Sequence, residues 1–433
     1  MQLRILRPFV DAVVSDLVRR HQFAFERVGF IACRTGTIDG GNLLLPTRYE
    51  PVLDADYLPD DTVGARIGSS AIRRAMQHAL ETDVTILHVH LHGHNGRPTM
   101  SGVDEVESQK LIPAFFNVRP NRPHGALILS RDSAALWMWT GKEERPVSVD
   151  DISIVGNPMR FVRSEGRIKT NPALTRQSFL GKDADPIFQT VRVAIVGLGG
   201  GGSHVIQQLV HLGITHFLLF DPDVVEISNL NRLVGATLSD VQNATKKVVV
   251  AERYIKSVNP TAVVEQFDKK WQETGAPIRK ADVVFGCVDT FLARQELEST
   301  THRYFIPYLD IGMDVAKCEG QYFISGQVVL SMPGEPCMKC MGFLTDEKLG
   351  REAARYGEAG EHPQVVWANG ALASAAVGKF VQFTTRWAKP DALCAYDSYD
   401  GNSGRIIAHP RLQYSDKHCS HHPLPSAGNP VFT

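Results

Sequence analysis

The chain has 433 residues, and its 46 Lys and Arg side chains nearly balance its 47 Asp and Glu side chains, giving a formal net charge of −1. This length favours two domains over one, and the balanced charge argues against nucleic acid as the main partner. No uninterrupted apolar run is long enough to span a bilayer, so no membrane role is expected. The seven cysteines, scattered apart from one CxxC, predict free thiols and a metal site in a reducing cytoplasm.

The first part of the chain alternates the patterns of helices and strands. Apolar residues at helical spacing predict one helix within residues 1–24 and another within residues 65–82. Glu26 leads into an apolar strand, and residues 124–139 predict a further strand and a hairpin. These patterns indicate an αβ domain.

One predicted strand, residues 86–94, is rich in histidine. His88, His90, His92 and His94 occupy alternate positions, so all four are expected on one face of the strand. Downstream, the segment Ser-Gly-Val-Asp at residues 101–104 opens a predicted helix, where side-chain acceptors are favoured in the first turn.

A glutamate on an early strand, then HxH, then SxxD resembles the JAB/MPN (JAMM) zinc metalloproteases. The resemblance implies a catalytic Zn²⁺ held by His92, His94 and Asp104, with an acidified water at the fourth position. It also implies that Glu26 is the general acid/base and that Ser101 is a donor on the oxyanion side.

Two departures from the JAMM pattern leave alternatives open. Asn95 stands where the family has proline, and the spacer between the second histidine and the serine is one residue short. The ligand pair could therefore be His90 and His92. A domain that has lost its protease activity is a further alternative.

Residues 193–232 predict a nucleotide-binding βαβ unit. Residues 193–196 and 217–220 are apolar strands, an amphipathic helix runs between them to about His211, and Asp221 ends the second strand. The turn after the first strand is glycine-rich, which lets backbone N–H groups approach a phosphate, and its glycines include Gly197, Gly199, Gly200 and Gly202.

The glycine turn, followed by Asp-Pro-Asp and the run Ser-Asn-Leu-Asn-Arg at residues 228–232, resembles the ThiF/MoeB/HesA adenylyltransferases that activate ubiquitin-like proteins. The resemblance covers about residue 176 to the C-terminus and implies ATP and Mg²⁺ as cofactors. It implies a Rossmann-like domain with a mainly parallel sheet. We therefore expect an α/β chain with a JAB/MPN-like domain at residues 1–160 and an adenylation domain at residues 161–433.

The same resemblance assigns roles to residues around the expected ATP site. Asp221 would hold the ribose hydroxyls, and Asn229 and Arg232 would contact the phosphates. A lysine would neutralise the triphosphate, for which Lys247 is favoured and Lys246 is the alternative. Asp289, which follows an apolar strand and precedes Thr290 in place of the usual asparagine, would hold Mg²⁺. Arg176 would reach across a homodimer to the ATP of its partner.

A structural zinc is implied by Cys337 and Cys340 together with the later Cys419 and His422. His421 and His418 are alternative fourth ligands, and a redox CxxC is a further alternative for the first pair. No cysteine lies between residues 341 and 390, where ubiquitin-activating enzymes have a nucleophile. Residues 344–363 are polar and are expected to form a mobile crossover loop.

These features predict an enzyme that adenylates the C-terminal glycine of a ubiquitin-like or sulfur-carrier protein, joined to a protease domain that processes the same protein. The acyl-adenylate would pass to an external sulfur donor, carrier or conjugating enzyme. One alternative is adenylation of a peptide or small carboxylate in a sulfur-metabolite pathway. Another is a scaffold that binds a ubiquitin-like protein through an inactive JAB domain.

Overall fold

The computed structural model of the protein describes residues 1–20, 24–60, 62–163, 172–354, 363–416 and 418–432. The chain forms two compact units, each with its own sheet. The N-terminal unit is built mainly from Met1–Gly156, and Leu424–Asn429 also belongs to it. The C-terminal unit is built mainly from Arg167–Pro423.

The N-terminal unit contains a mixed nine-stranded sheet with the order β7-β6-β5-β4-β2-β3-β1-β8-β9. Its strands are β1 (Gln2–Leu6), β2 (Val28–Ile38), β3 (Gly41–Pro51), β4 (Thr85–Leu91), β5 (His124–Leu129), β6 (Ala134–Trp139), β7 (Val147–Val149), β8 (Asp151–Val155) and β9 (Arg160–Arg163). Its helices are α1 (Arg7–Leu17), α2 (Ser69–Thr82) and α3 (Gly102–Phe115).

Helices cover both faces of this sheet. On β4, Leu87 and Val89 belong to the apolar cluster that includes α1, whereas Ile86 belongs to the cluster that includes α2 and the end of α3. Because side chains alternate along a strand, His88 and His90 share the face of Ile86. The histidines of β4 therefore lie on the side of the sheet that carries α2 and α3.

The helix predicted within residues 1–24 is confirmed as α1, Arg7–Leu17. It is preceded by a strand that was not predicted, Gln2–Leu6, whose five residues are all buried in the sheet beside β3 and β8. One expectation for this unit needs correction. Strand β4 ends at Leu91, so the predicted alternation of histidines does not continue to His94.

The C-terminal unit contains an eight-stranded sheet with the order β12-β11-β10-β13-β14-β15-β16-β17. Its strands are β10 (Arg192–Val196), β11 (His216–Phe220), β12 (Val263–Phe267), β13 (Val283–Gly286), β14 (Tyr308–Cys318), β15 (Gln321–Ser331), β16 (Tyr396–Asp400) and β17 (Arg405–Ala408). Its helices are α4 (Ala184–Thr190), α5 (Gly200–Leu212), α6 (Leu238–Gln242), α7 (Lys247–Val258), α8 (Trp271–Thr274), α9 (Phe291–Arg303), α10 (Asp346–Ala354) and α11 (Val366–Thr384).

The five strands from β12 to β14 are parallel, and β15 to β17 continue the sheet in antiparallel pairing. This arrangement confirms the α/β class and the Rossmann-like parallel sheet expected for the second half of the chain. The predicted strand–turn–helix–strand unit corresponds to β10, α5 and β11.

The segment expected to be a mobile crossover loop, residues 344–363, is described only in part. Asp346–Ala354 forms helix α10, which corrects the expectation of a loop for those residues. Residues 355–362 lie outside the described residues. Among the described helices, none combines the length and apolar character that crossing a bilayer requires.

Candidate functional sites

The expected ATP site lies where three neighbouring parallel strands end. The glycine turn follows β10, Asp221 follows β11, and Asp289 lies three residues beyond β13. In the sheet, β11 lies on one side of β10, and β13, which comes later in the chain, lies on the other side. Such a reversal opens a crevice at the carboxyl ends of the strands, where nucleotides bind in sheets of this type.

The glycine turn is shaped by close backbone contacts. Gly197 has a φ of +88°, and a Cβ there would overlap the backbone carbonyl of Cys287 in the turn after β13. Helix α5 begins with Gly199 as its N-cap, which brings no side chain to the free N–H groups of the first turn. These donors and the positive end of the helix dipole are available to a phosphate.

Asp221 is buried at the end of β11 and is tied to the glycine turn. Its Oδ2 accepts the N–H of Leu198 at 2.7 Å, and its Oδ1 accepts the N–H of Asp223 at 2.9 Å. Burial raises the pKa of Asp221, and the nearby Lys247 opposes that rise. The ammonium of Lys247 lies 2.7 Å from Asp223 and 3.8 Å from Asp221, whereas Lys246 donates to the carbonyl of Pro222.

Asn229 ends a short 3₁₀ helix, Ile227–Asn229, and Arg232 lies in the turn that follows it. The side-chain oxygen of Asn229 accepts the N–H of Glu226 at 3.1 Å, which fixes the turn. Arg232 donates to the carbonyl of Ser228 at 2.7 Å. A Cβ built on Gly200 would be 3.2 Å from Arg232 Cδ, so the arginine lies beside the glycine turn.

Asp289 is exposed, one residue before the N-cap of α9. Thr290, which departs from the usual asparagine, accepts the N–H of Ala293 at 3.1 Å and caps that helix. Threonine and asparagine are both favourable N-caps, so the departure preserves the local geometry.

Arg176 lies away from the glycine turn of its own chain. It is exposed in a 3₁₀ helix, Pro172–Leu180, whose Gln177 donates to the carbonyl of Leu212 at 2.9 Å. Leu212 ends α5, and a helix rises about 1.5 Å per residue, so this end is roughly 18 Å from Gly200. An arginine side chain is too short to cover that distance within one chain.

The structure brings Cys337, Cys340 and Cys419 together with His421. The two sulfurs of the CxxC are 3.6 Å apart, and each lies 3.4 Å from His421 Nδ1. Tetrahedral zinc, with bonds of about 2.3 Å to sulfur and 2.0 Å to nitrogen, would require about 3.8 Å between sulfurs and 3.5 Å from sulfur to nitrogen. The four residues therefore fit a structural zinc ion.

His422, the favoured fourth ligand, is not in this cluster, and the alternative His421 stands in its place. His422 Nε2 lies 3.5 Å from the buried carboxylate of Glu298, and its ring packs on that of His302. Glu298 also accepts the N–H of Met338, inside the CxxC turn, at 2.7 Å.

In the N-terminal unit, His90 and His92 converge on Asp104. Their Nε2 atoms are 3.1 Å apart and lie 3.4 and 3.5 Å from the carboxylate. Ligands about 2.0 Å from a tetrahedral zinc lie roughly 3.3 Å from one another, so this set fits Zn²⁺. Burial opposes ionisation of Asp104, but hydrogen bonds with His90 and Ser101 outweigh it and lower its pKa.

His94, favoured as a ligand from the sequence, is not part of this cluster. It is exposed beyond the end of β4, and its Nδ1 faces the carbonyl of Asn95 at 2.9 Å. The structure thus brings Asp104 together with His90 and His92, the alternative pair that the sequence left open.

The other two predicted residues of this site lie near its edge. Ser101 caps α3 and forms reciprocal hydrogen bonds with Asp104. The carboxylate of Glu26 lies against Gly64, where a Cβ would be 2.9 Å from its Oε2. Burial lowers the pKa of His92, His90 lowers it further, and the charges of Asp104 and then Glu26 oppose that shift.

Several residues around the ATP site could not be found from the sequence. Asn369 of α11 contacts Gly200, and Glu352 of α10 accepts the first two N–H groups of α9 at 2.8 and 2.9 Å. Arg294 of α9 donates to the carbonyl of Asp289. None of these residues belongs to a local motif, and their approach depends on the packing of distant helices.

Comparison with known proteins identifies the C-terminal half. The model of the ThiF family matches residues 174–421. The ubiquitin-like modifier-activating enzyme 5 of Rattus norvegicus is 29% identical over 255 residues, covering 53% of this chain and 59% of that protein. The enzyme of the same name from Dictyostelium discoideum is 31% identical over 171 residues, covering 35% of this chain and 42% of that protein. The chain thus spans less than two thirds of these relatives.

A solved structure, that of E. coli MccB with ATP, is 18% identical and covers 60% of this chain and 76% of MccB, with a TM-score of 0.47.

Proposed function

The chain belongs to the ThiF family, and from this membership we propose that it uses ATP to adenylate the C-terminal glycine of a ubiquitin-like or sulfur-carrier protein. The observation that carries the proposal is the meeting of the glycine turn, Asp221 and Asp289 at the ends of three adjacent strands. The names of the relatives support the choice of a ubiquitin-like substrate.

The proposed step transfers an adenylyl group. A carboxylate oxygen of the substrate attacks the α-phosphorus, the bond from that phosphorus to the bridging oxygen breaks, and pyrophosphate leaves with the electron pair. The turn amides, Lys247 and Arg232 would neutralise phosphate charge, and Asp221 would orient the ribose. Asp289 would hold Mg²⁺, which supplies further charge neutralisation.

The free cysteines outside the zinc cluster give little support for a thioester on this chain, within the described residues. Cys33 is buried in β2, Cys287 is partly buried just after β13, and burial raises the pKa of both thiols. Cys318 is exposed, but it lies eight residues beyond Asp310 on β14, roughly 26 Å along the strand. Burial also raises the pKa of Cys394. We therefore propose that the acyl-adenylate passes to an external sulfur donor, carrier or conjugating enzyme.

ATP–pyrophosphate exchange tests this function. The full chain is assayed with ubiquitin-like proteins ending in Gly-Gly and with the same proteins lacking those two residues. Exchange that requires the intact terminus supports the proposal. Exchange only with peptides or small carboxylates would instead favour a sulfur-metabolite role, and no exchange with any substrate would favour a binding scaffold.

A second activity is favoured by the cluster in the N-terminal unit. We propose that His90, His92 and Asp104 hold Zn²⁺ in a JAB/MPN-type protease that processes the same carrier protein. Zinc bound there would acidify a water molecule. Glu26, the general acid/base that the JAMM pattern implies, would accept its proton.

Replacing His92 with alanine is expected to remove about one zinc equivalent per chain, because a catalytic zinc site uses only three protein ligands. Replacing His94 is expected to leave the zinc content unchanged, since His94 lies outside the cluster. Elemental analysis of purified variants measures both. Equal zinc loss in the His92 and His94 variants would indicate that His94 is also a ligand and would contradict the proposed set.

We also propose that the chain acts as a homodimer through a groove beside Arg176. The groove is about 610 Å³ and is lined largely by apolar side chains, among them Val377 and Val381. Phe179 and Trp387 form its exposed aromatic pair, with ring centroids 6.1 Å apart. If two copies pack against each other through this groove, Arg176 of each copy would reach the ATP site of the other. Within one chain, Arg176 is too far from the glycine turn to reach that site.

Mixing two inactive variants tests the exchange of Arg176 between subunits. Arg176→Ala and Asp289→Ala should each lack exchange activity, and co-refolded mixtures should regain part of it, because one hybrid site contains both native residues. Mixtures without recovered activity would contradict the shared site.

The interface itself is tested by sedimentation. Phe179→Asp should shift the protein toward monomers, whereas Tyr414→Ser, at another exposed aromatic residue, should not.

A further inference from the structure

A buried ion pair lies directly behind the turn that carries Asp289. Arg294, in the first turns of α9, is 6% exposed, and Asp310, on β14, is fully buried. The Nε of Arg294 lies 3.1 Å from both carboxylate oxygens of Asp310. The hydroxyl of Tyr308 donates to the same carboxylate at 2.9 Å.

Packing alone does not account for this pair. Removing two charges from water costs several kcal/mol per ion, and apolar residues of similar volume are often as stable or more stable. The pair is instead connected to the expected ATP site, because Arg294 Nη1 donates to the backbone carbonyl of Asp289 at 3.4 Å. One guanidinium thus links β14 to the peptide that presents the exposed Asp289 carboxylate.

Strand β14 itself leaves room for this link. A Cβ on Gly312, two residues beyond Asp310, would lie 2.5 Å from Arg294 Nη2. The side-chain amide of Gln327, on β15, lies beside the same gap at Gly312. The charged ends of the pair are therefore held from β14 and α9.

We infer that Arg294, anchored by Asp310, is a positioning residue that fixes the Asp289 turn and thereby sets the affinity of the site for the divalent cation of ATP. The inference rests on the proposed adenylation function. Residues that orient a metal ligand typically change metal affinity about 10- to 100-fold when they are replaced.

The test compares three variants, Arg294→Gln, Arg294→Lys and the double variant Arg294→Met with Asp310→Leu. Two quantities are measured: the Mg²⁺ concentration for half-maximal exchange, and Mn²⁺ binding to the complex with a non-hydrolysable ATP analogue, followed by electron paramagnetic resonance. All three variants should need about 10-fold or more additional metal. Their exchange rates should recover at saturating Mg²⁺.

The double variant separates positioning from stability. Its apolar pair should restore the melting temperature lost in Arg294→Gln, because no unpaired charge is left buried, while the metal requirement stays raised. A double variant with both stability and metal requirement restored would overturn the inference. So would unchanged Mn²⁺ binding in Arg294→Gln.

The same experiment keeps the two proposals apart. Absence of exchange in the unmodified protein would count against adenylation, and Mn²⁺ binding would still decide the role of Arg294. Normal exchange in the unmodified protein, with no shift in Arg294→Gln, would overturn only the positioning role.

Discussion

Asp289→Ala is expected to lower ATP–pyrophosphate exchange by about 10²- to 10³-fold, the range seen when one preorganised electrostatic group is removed from an active site. The carboxylate is the hard oxygen ligand that Mg²⁺ favours. Its exposure means that folding should change by no more than about 0.5 kcal/mol, as for most surface substitutions. Exchange kinetics and thermal unfolding of the purified variant measure the two effects.

The matched control is Asp391→Ala, which removes another exposed aspartate of the same unit. Exchange should stay at the level of the unmodified protein. Asp221→Ala provides a contrast, because that buried carboxylate also accepts the N–H groups of Leu198 and Asp223. It should lose both activity and stability. Normal exchange in Asp289→Ala would show that this residue has no role in the proposed site.

Cys340→Ser is expected to release the structural zinc and to destabilise the C-terminal unit by several kcal/mol. The binding free energy of a structural zinc, about 10–16 kcal/mol in small peptides, contributes directly to folding. The turn that carries Cys337 and Cys340 is held by short-range hydrogen bonds, such as that from the Met341 N–H to the carbonyl of Cys337 at 2.9 Å. Zinc content and the melting temperature are measured together.

Cys318→Ser controls for the loss of a thiol, because Cys318 is exposed at the end of the β14–β15 hairpin. It should keep its zinc and its melting temperature. A second comparison separates the two adjacent histidines: His421→Ala should lose zinc, and His422→Ala should retain it. Full zinc content in Cys340→Ser would contradict the proposed ligand set.

Local pattern was sufficient to predict the nucleotide-binding half of the fold. The apolar runs, the glycine turn and the acidic strand end are separated by few residues, so sequence spacing predicts β10, α5 and β11 directly. The positions of Asp221 and Asp289 followed from the same rule, since parallel strands present their carboxyl ends at one edge. The strand β1 was not predicted, because its five residues are too few to distinguish a strand from the beginning of the helix that follows at once.

Local pattern was insufficient where the chain leaves regular structure. The alternation of histidines predicted one face for all four, but β4 ends at Leu91 and His94 turns away. His421 and His422 are adjacent in an irregular segment, so the sequence pattern does not indicate which of the two side chains lies in the cysteine cluster. The contact between Arg294 and Asp310 could not be predicted, because the two residues are sixteen positions apart in sequence. Only tertiary packing brings their helix and strand together.

Helix α9 connects two parts of the C-terminal unit that differ in chemistry. Asp289 precedes its first turn, and Glu298, on the same helix, holds the CxxC turn through the N–H of Met338. At 1.5 Å per residue the two acidic residues are about 14 Å apart along one stiff rod. A newly made chain that has not yet acquired zinc would lack the anchor at one end of that rod. If the chain binds zinc and adenylates a carrier as proposed, the cysteine cluster would have to acquire its metal before the chain could use ATP, and zinc supply would limit the amount of competent protein.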